Sequence, residues 1–122
     1  MPFDWVEFLA LARDLQGCSG QSYSEQAASR SSVSRAYYAA FCHTRNYAER
    51  NLGFKRTRTG RDHRSLRDHL RNLGQPWDEI AEDLEDLQKW RNMCDYDDVV
   101  LNLKYIVQDA LKTAEKVIKD CS

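Results

Sequence analysis

Apolar positions recur along this chain at helical intervals, and no stretch shows the alternating, β-branched pattern of a strand. Asp4 with Glu7 has the spacing of a capping box and predicts a first helix over roughly 4–16, with Trp5, Phe8, Leu11, Ala12 and Leu15 along one side. The Gly- and Ser-rich segment 17–24 breaks it. Ser24 with Glu25 predicts the start of a long second helix reaching about Leu52, with the stripe Val33, Tyr37, Ala40, Phe41, Thr44, Ala48 and Leu52. Its serine-rich start (Ser29, Ser31, Ser32, Ser34) is a poor helix former and predicts frayed first turns or a separate short helix. Gly53 has the character of a C-cap.

After the loop 53–61, a third helix is expected from Asp62 to Leu73, with Leu66, Leu70 and Leu73 on one face and Gly74 closing it. Pro76 suits the first position of a fourth helix, and Asp78 and Glu79 suit the positive end of its dipole. That helix carries Ile80, Leu84 and Leu87 to about Cys94. Asp97 and Asp98 mark the junction to a fifth, with Val99, Leu103, Ile106, Val107, Ala110, Ala114, Val117 and Ile118 on its apolar side. The expectation is an all-α, antiparallel up-and-down bundle of about five helices, forming one domain over residues 1–122.

Composition narrows this further. Three Trp, six Tyr and four Phe supply a packed core and exclude global disorder. No apolar run approaches the roughly 20 residues of a membrane span, and the acidic, amphipathic start does not resemble a secretory leader. The four cysteines (Cys18, Cys42, Cys94, Cys121) are dispersed without metal-ligand or disulfide-scaffold spacing, which predicts a reduced, cytoplasmic protein without a metal or other cofactor.

The net charge of −1 conceals two opposed blocks. Seven basic residues lie between Lys55 and Arg71, among them Arg56, Arg58 and Arg61, against Asp62 and Asp68 only. Nine acids lie between Trp77 and Asp98, against Lys89 and Arg91. The basic block is either a polyanion surface or the ionic partner of helix-four acids such as Glu82, Asp83, Glu85 and Asp86; a free loop with a paired third helix combines both.

Two short segments hold candidate chemistry. The stripe Ile80, Leu84, Leu87 continues at Arg91, so Arg91 is expected to point inward, where an unpaired guanidinium is costly. Asp95, four residues on, is the natural acceptor, and Tyr96 follows it. In SRAYYAAF (34–41), Tyr37 continues the apolar stripe, while Arg35 and Tyr38 flank it. Adjacent tyrosines on a helix cannot face the same way, so one is expected in the core and the other at a groove edge or contact.

FDWVEFLALARDL, SSVSRAYYAAFCHTRNYAE and LQKWRNMCDYDD together resemble the HEPN superfamily over nearly the whole chain. The match is to small stand-alone members with an S-R-x-Y-Y-A-x-F helix and a later R-x-x-x-D-Y. The resemblance implies a helical bundle, often a homodimer, commonly encoded beside a minimal nucleotidyltransferase in a toxin–antitoxin pair. It also implies, for catalytic members, a metal-independent ribonuclease in which an Arg, a polar residue and a His act on RNA.

Arg91 and Asn92 match the first two positions of that motif, but Asp95 and Tyr96 stand where the His belongs, and no His follows His69. A carboxylate repels phosphate and is better read as the partner of Arg91. Arg58–His63 and Arg64–His69 have Arg-x4-His spacing by composition alone. His63, at the loop–helix junction, is the candidate proton carrier, and His43 is read as surface or interface. The resulting site comprises Arg91, Asn92 and His63 as catalytic residues, with Arg35, Tyr38, Asp95, Tyr96, Arg56, Arg58 and Arg61 binding RNA or a nucleotide. Three readings remain: ribonuclease, non-catalytic binding partner of a nucleotidyltransferase, and a structural protein that encloses the Arg91–Asp95 pair.

Overall fold

Ser24 caps the second helix as its sequence predicts, accepting a hydrogen bond from the Ala27 amide at 3.1 Å. In the computed structural model, which describes residues 2–122, the chain forms α1 (Val6–Leu15), α2 (Glu25–Asn51), α3 (Asp62–Asn72), α4 (Trp77–Tyr96) and α5 (Leu103–Asp120). No strand occurs among the described residues. α2 lies at the centre of the bundle, packed against α1, α4 and α5, while α3 packs on α4.

Small side chains make this arrangement close. Ala36, Ala39, Ala40 and Ala48 of α2 are fully buried, as are Ala110 and Ala114 of α5. Between them Val33, Tyr37, Leu66, Leu70, Ile80, Leu84, Leu87, Val107 and Val117 fill the core. The serine-rich start of α2 does not fray. Ser32 is buried and its hydroxyl donates to the Ala12 carbonyl at 2.6 Å, so the serines that weaken the isolated helix let α1 pack against it.

Three expected apolar positions lie outside the core. Leu11 and Leu73 are exposed, and Leu9 takes the inner place on α1. Val99 precedes α5 and is 75% exposed, because the chain does not become helical until after Asn102, which adopts φ 59°. Arg30 of α2 sets this junction. Its Nη1 donates to the carbonyls of Cys94 (3.1 Å) and Asp97 (2.5 Å), and its Nη2 to that of Asp98 (3.1 Å). A cation thus satisfies carbonyls that the end of α4 leaves unpaired. At the other end of α1, Asp4 accepts from the Val6 amide at 3.1 Å, but no reciprocal Glu7 side-chain bond completes the capping box.

The opposed charge blocks meet less than their composition suggests. Arg71 reaches Glu85 at 3.0 Å, the one ion pair between α3 and α4 among the described residues. Asp83 instead holds Lys116 of α5 at 3.2 Å, and Arg64 faces Asp68 on its own helix. No helix is long and apolar enough to cross a membrane.

Leu84 is buried on all sides. Leu84→Ala is expected to lower unfolding stability by about 2–5 kcal/mol, read by urea denaturation with an unchanged slope.

Candidate functional site

α2 is buried on one face, and the face beside it forms the floor of a groove. Arg35, Tyr38, Cys42 and Arg45 follow one another at intervals of three and four, a second helical stripe next to the core stripe. Trp5 and Phe8 of α1 wall the groove on one side, and Arg58, Asp62 and His63 of the loop and α3 wall it on the other. Arg91 and Asp95 of α4 close it. The space is about 610 Å³, within the usual range for a small-molecule site.

Arg91 is held from three directions. Its Nη2 donates to the Tyr38 hydroxyl at 2.8 Å, its Nη1 to Asn92 Oδ1 at 3.0 Å, and its Nε lies 2.9 Å from Asp95 Oδ2. The Nε–H is not aimed at that oxygen and has no hydrogen-bond acceptor, so the contact is an ion pair without a matched bond. Side-chain exposures of 16% for Arg91 and 27% for Asp95 place the pair at the groove wall rather than inside the bundle. The enclosed pair required by the structural reading is therefore not found: the guanidinium borders open space.

The two adjacent tyrosines divide as predicted. Tyr37 is fully buried, while Tyr38 is half-buried at the groove. Burial raises the Tyr37 phenol far above its ordinary value, so it remains protonated. Its hydroxyl is hydrogen-bonded to His63 Nδ1 and has no other partner among the described residues. A neutral phenol in that position donates to Nδ1, which assigns the imidazole proton to Nε2. The ring also stacks on Phe41 at 4.3 Å. Burial first, then the positive charges of Arg91 and Arg67, holds His63 below its ordinary pKa. At neutral pH it is an uncharged donor, suited to hydrogen-bonding an anion and poorly suited to taking a proton.

Asp62 fixes the loop that crosses the groove. Its carboxylate accepts from the Thr57 amide (2.7 Å), the Thr57 hydroxyl (2.8 Å) and the Arg58 amide (2.9 Å). Burial pushes its pKa up, but these bonds outweigh burial and hold it below the ordinary carboxylate value. Arg58 is thereby kept at φ 62°, a conformation unfavourable for a residue with a Cβ.

Residues 20–122 match the family model for the HEPN domain. The chain belongs to the HEPN family. No curated protein and no solved structure matches it.

The HEPN fold brings Arg35, Tyr38, Arg58, His63, Arg91 and Asp95 together around one groove. The remaining sequence candidates lie elsewhere. Arg56 turns away to Glu49 and Asn46, an ion pair with its own helix hairpin. Arg61 is exposed at the start of α3. Asn92 holds Arg91 from the solvent side, and Tyr96, 71% exposed, stands at the rim with its ring 5.7 Å from the Arg91 guanidinium carbon.

The other histidines serve the fold. His43, half-buried, pairs with the Cys121 carbonyl at 3.1 Å and ties α2 to the end of α5. His69 pairs with the Leu52 carbonyl at 2.7 Å. Burial raises the thiols of Cys94 and Cys121 to about 11, so both stay protonated. No group of His, Cys, Asp and Glu among the described residues is arranged to hold a metal ion.

Sequence reasoning missed Arg45, Trp5 and Phe8. Arg45 continues the spacing of Arg35, Tyr38 and Cys42, and that second stripe was the available signal. Trp5 and Phe8 are expected from their spacing only along the apolar side of the first helix; both are partly buried and face the groove.

In a histidine-resolved NMR titration, His63 is expected to titrate below about 6.5, with its midpoint moving upward in Arg91→Gln. Because the folded value lies below the unfolded one, the contribution of His63 to stability is complete above about pH 6.5 and is lost as pH falls through the folded value.

Proposed function

We propose that this HEPN protein is a component of a two-gene toxin–antitoxin or defence-like system that binds RNA or nucleotides in the α1–α4 groove. The observation that carries the reading is the convergence of Arg35, Arg45, Arg58 and Arg91 on one aromatic-walled space, with a neutral His63 among them. Asp95 is already engaged with Arg91, and Asp62 with its own loop. The remaining positive charge and the rings together suit a phosphate attached to a base.

Binding, rather than cleavage, is the role we assign. Cleavage of RNA needs a group that takes the 2′-hydroxyl proton. His63 Nδ1 is occupied by Tyr37, and Asp95 is tied to a guanidinium. The protein then acts in the cytoplasm as the regulatory partner of a minimal nucleotidyltransferase. Tyr96, Val99, Leu101 and Tyr105, all exposed around the α4–α5 junction, supply apolar area for such a partner or for a second copy in a homodimer. A metal-independent ribonuclease is the second reading. One observation favours it: His63 and Arg91 both lie against the Tyr38 ring, so both can reach one phosphodiester.

Incubation with RNA in EDTA separates the two. Wild-type protein is expected to bind a short oligoribonucleotide by fluorescence anisotropy without cutting it, and Arg91→Ala to weaken binding by about tenfold or more, the loss of a charge-assisted hydrogen bond. Cleavage by the wild type that disappears in both Arg91→Ala and His63→Ala would establish the ribonuclease instead.

A further inference from the structure

We infer that Arg35 and Arg45 are two separate phosphate clamps, one at each end of the groove, and that the ligand is therefore a single strand of several nucleotides rather than a mononucleotide. This deepens the binding reading above and rests on it.

The argument begins with what the two guanidiniums lack. Arg35 makes no hydrogen bond and no ion pair to any described residue, and Arg45 bonds only to the amide oxygen of the neighbouring Asn46, at 3.2 and 3.1 Å. Four arginines of the basic block, by contrast, have anionic or polar partners: Arg56 has Glu49, Arg71 has Glu85, Arg64 has Asp68 and Arg67 has Gln88. Arg35 and Arg45 are held by rings instead. The Arg35 guanidinium carbon lies 4.8 Å from the Phe8 centroid and 5.4 Å from that of Tyr38. That of Arg45 lies 5.8 Å from the Trp5 centroid and 5.9 Å from that of Phe41. Contact with a ring face orients a guanidinium and consumes none of the hydrogen bonds an anion needs.

Their separation decides the ligand. They stand ten positions apart on α2, which is roughly 15 Å along the helix axis, and each is backed by a different pair of rings. One phosphate, whose oxygens must approach each donor to about 3 Å, cannot serve both. Tyr38, Phe41, His63 and Arg91 occupy the floor and wall between them. A strand laid along α2 places one phosphate at Arg35, another at Arg45, and the intervening nucleotides against Tyr38 and Phe41. A mononucleotide fills only one end.

The test is a length series with the full chain: uridine 5′-monophosphate, then 5′-phosphorylated oligouridylates of two, three and four nucleotides, measured by calorimetry and by anisotropy at several salt concentrations. Affinity is expected to rise by about tenfold or more once the strand spans both arginines. Arg35→Gln and Arg45→Gln are each expected to remove that rise and to make the salt slope shallower by about 0.7, the counterion release of one phosphate on a single strand. Arg64→Gln, which removes the same charge outside the groove, leaves the rise intact. Equal affinity of wild-type protein for the monophosphate and the longest oligomer overturns the inference whatever the variants do. So does a rise that survives in both Arg35→Gln and Arg45→Gln. If no member of the series binds, the groove is not an RNA or nucleotide site, and both readings fall together.

Discussion

A buried phenol needs a hydrogen-bond acceptor, and in this protein Tyr37 has one in His63 alone. The bond joins the central helix to the first turn of α3, a helix that otherwise rests on α4. Once His63 is anchored, Asp62 beside it is fixed as well, and the loop from Thr57 to Arg58 follows because its amides bond to that carboxylate. The far end of α3 is tied back through His69 to the last turn of α2. Beyond the burial of Leu66 and Leu70, the setting of α3 and the path of the basic loop beside the groove are thus linked to satisfying one polar atom in an apolar interior.

The electrostatics of the groove follow from where the charges are already engaged. The acids of α4 were the obvious counterweight to the basic block, yet only Arg71 finds one of them across the α3–α4 interface among the described residues. Helix periodicity explains this. Asp83 faces α5 and Lys116, while Glu82 and Asp86 face solvent. Arg30, another cation that might have joined the groove, is consumed by backbone carbonyls at the end of α4. The positive character of the groove is therefore local, and it owes more to Arg35 and Arg45 of α2 than to the dense basic run after Gly53.

Much of the fold was legible because helix signals are local. Ser24, Gly53 and Gly74 act within one turn of themselves, and the Ile80–Leu84–Leu87 stripe is buried as its spacing requires. Errors arose where a distant group decided the outcome. The serines of α2 became packing residues through the Ala12 carbonyl, and α5 starts late because Arg30, far back in the chain, grips the turn before it. The site shows the same division. Arg91 with Asp95 is an interaction within one helix and could be read from spacing. Arg56 could not be placed, since its partner Glu49 lies across a loop whose course depends on Asp62. Arg45 has no sequence motif of its own; its role emerges only when Trp5 is brought beside it from the start of the chain.

That last contact separates two kinds of information in the protein. The segment that matches the HEPN family begins at residue 20, whereas Trp5 and Phe8 belong to α1, ahead of it. The charges of the groove thus lie within the matched segment, and much of its aromatic wall lies in a helix ahead of it. Such a division makes the orientation of the groove arginines depend on a helix ahead of the matched segment. Replacing side chains on one face of α1 would re-contour that wall and remove the ring contacts that orient Arg35 and Arg45, while the Tyr37–His63 joint and the core beneath them stay as they are. The presentation of those two guanidiniums is therefore decided at the leading helix, by rings more than thirty positions earlier in the chain for Arg45 and nearly as many for Arg35.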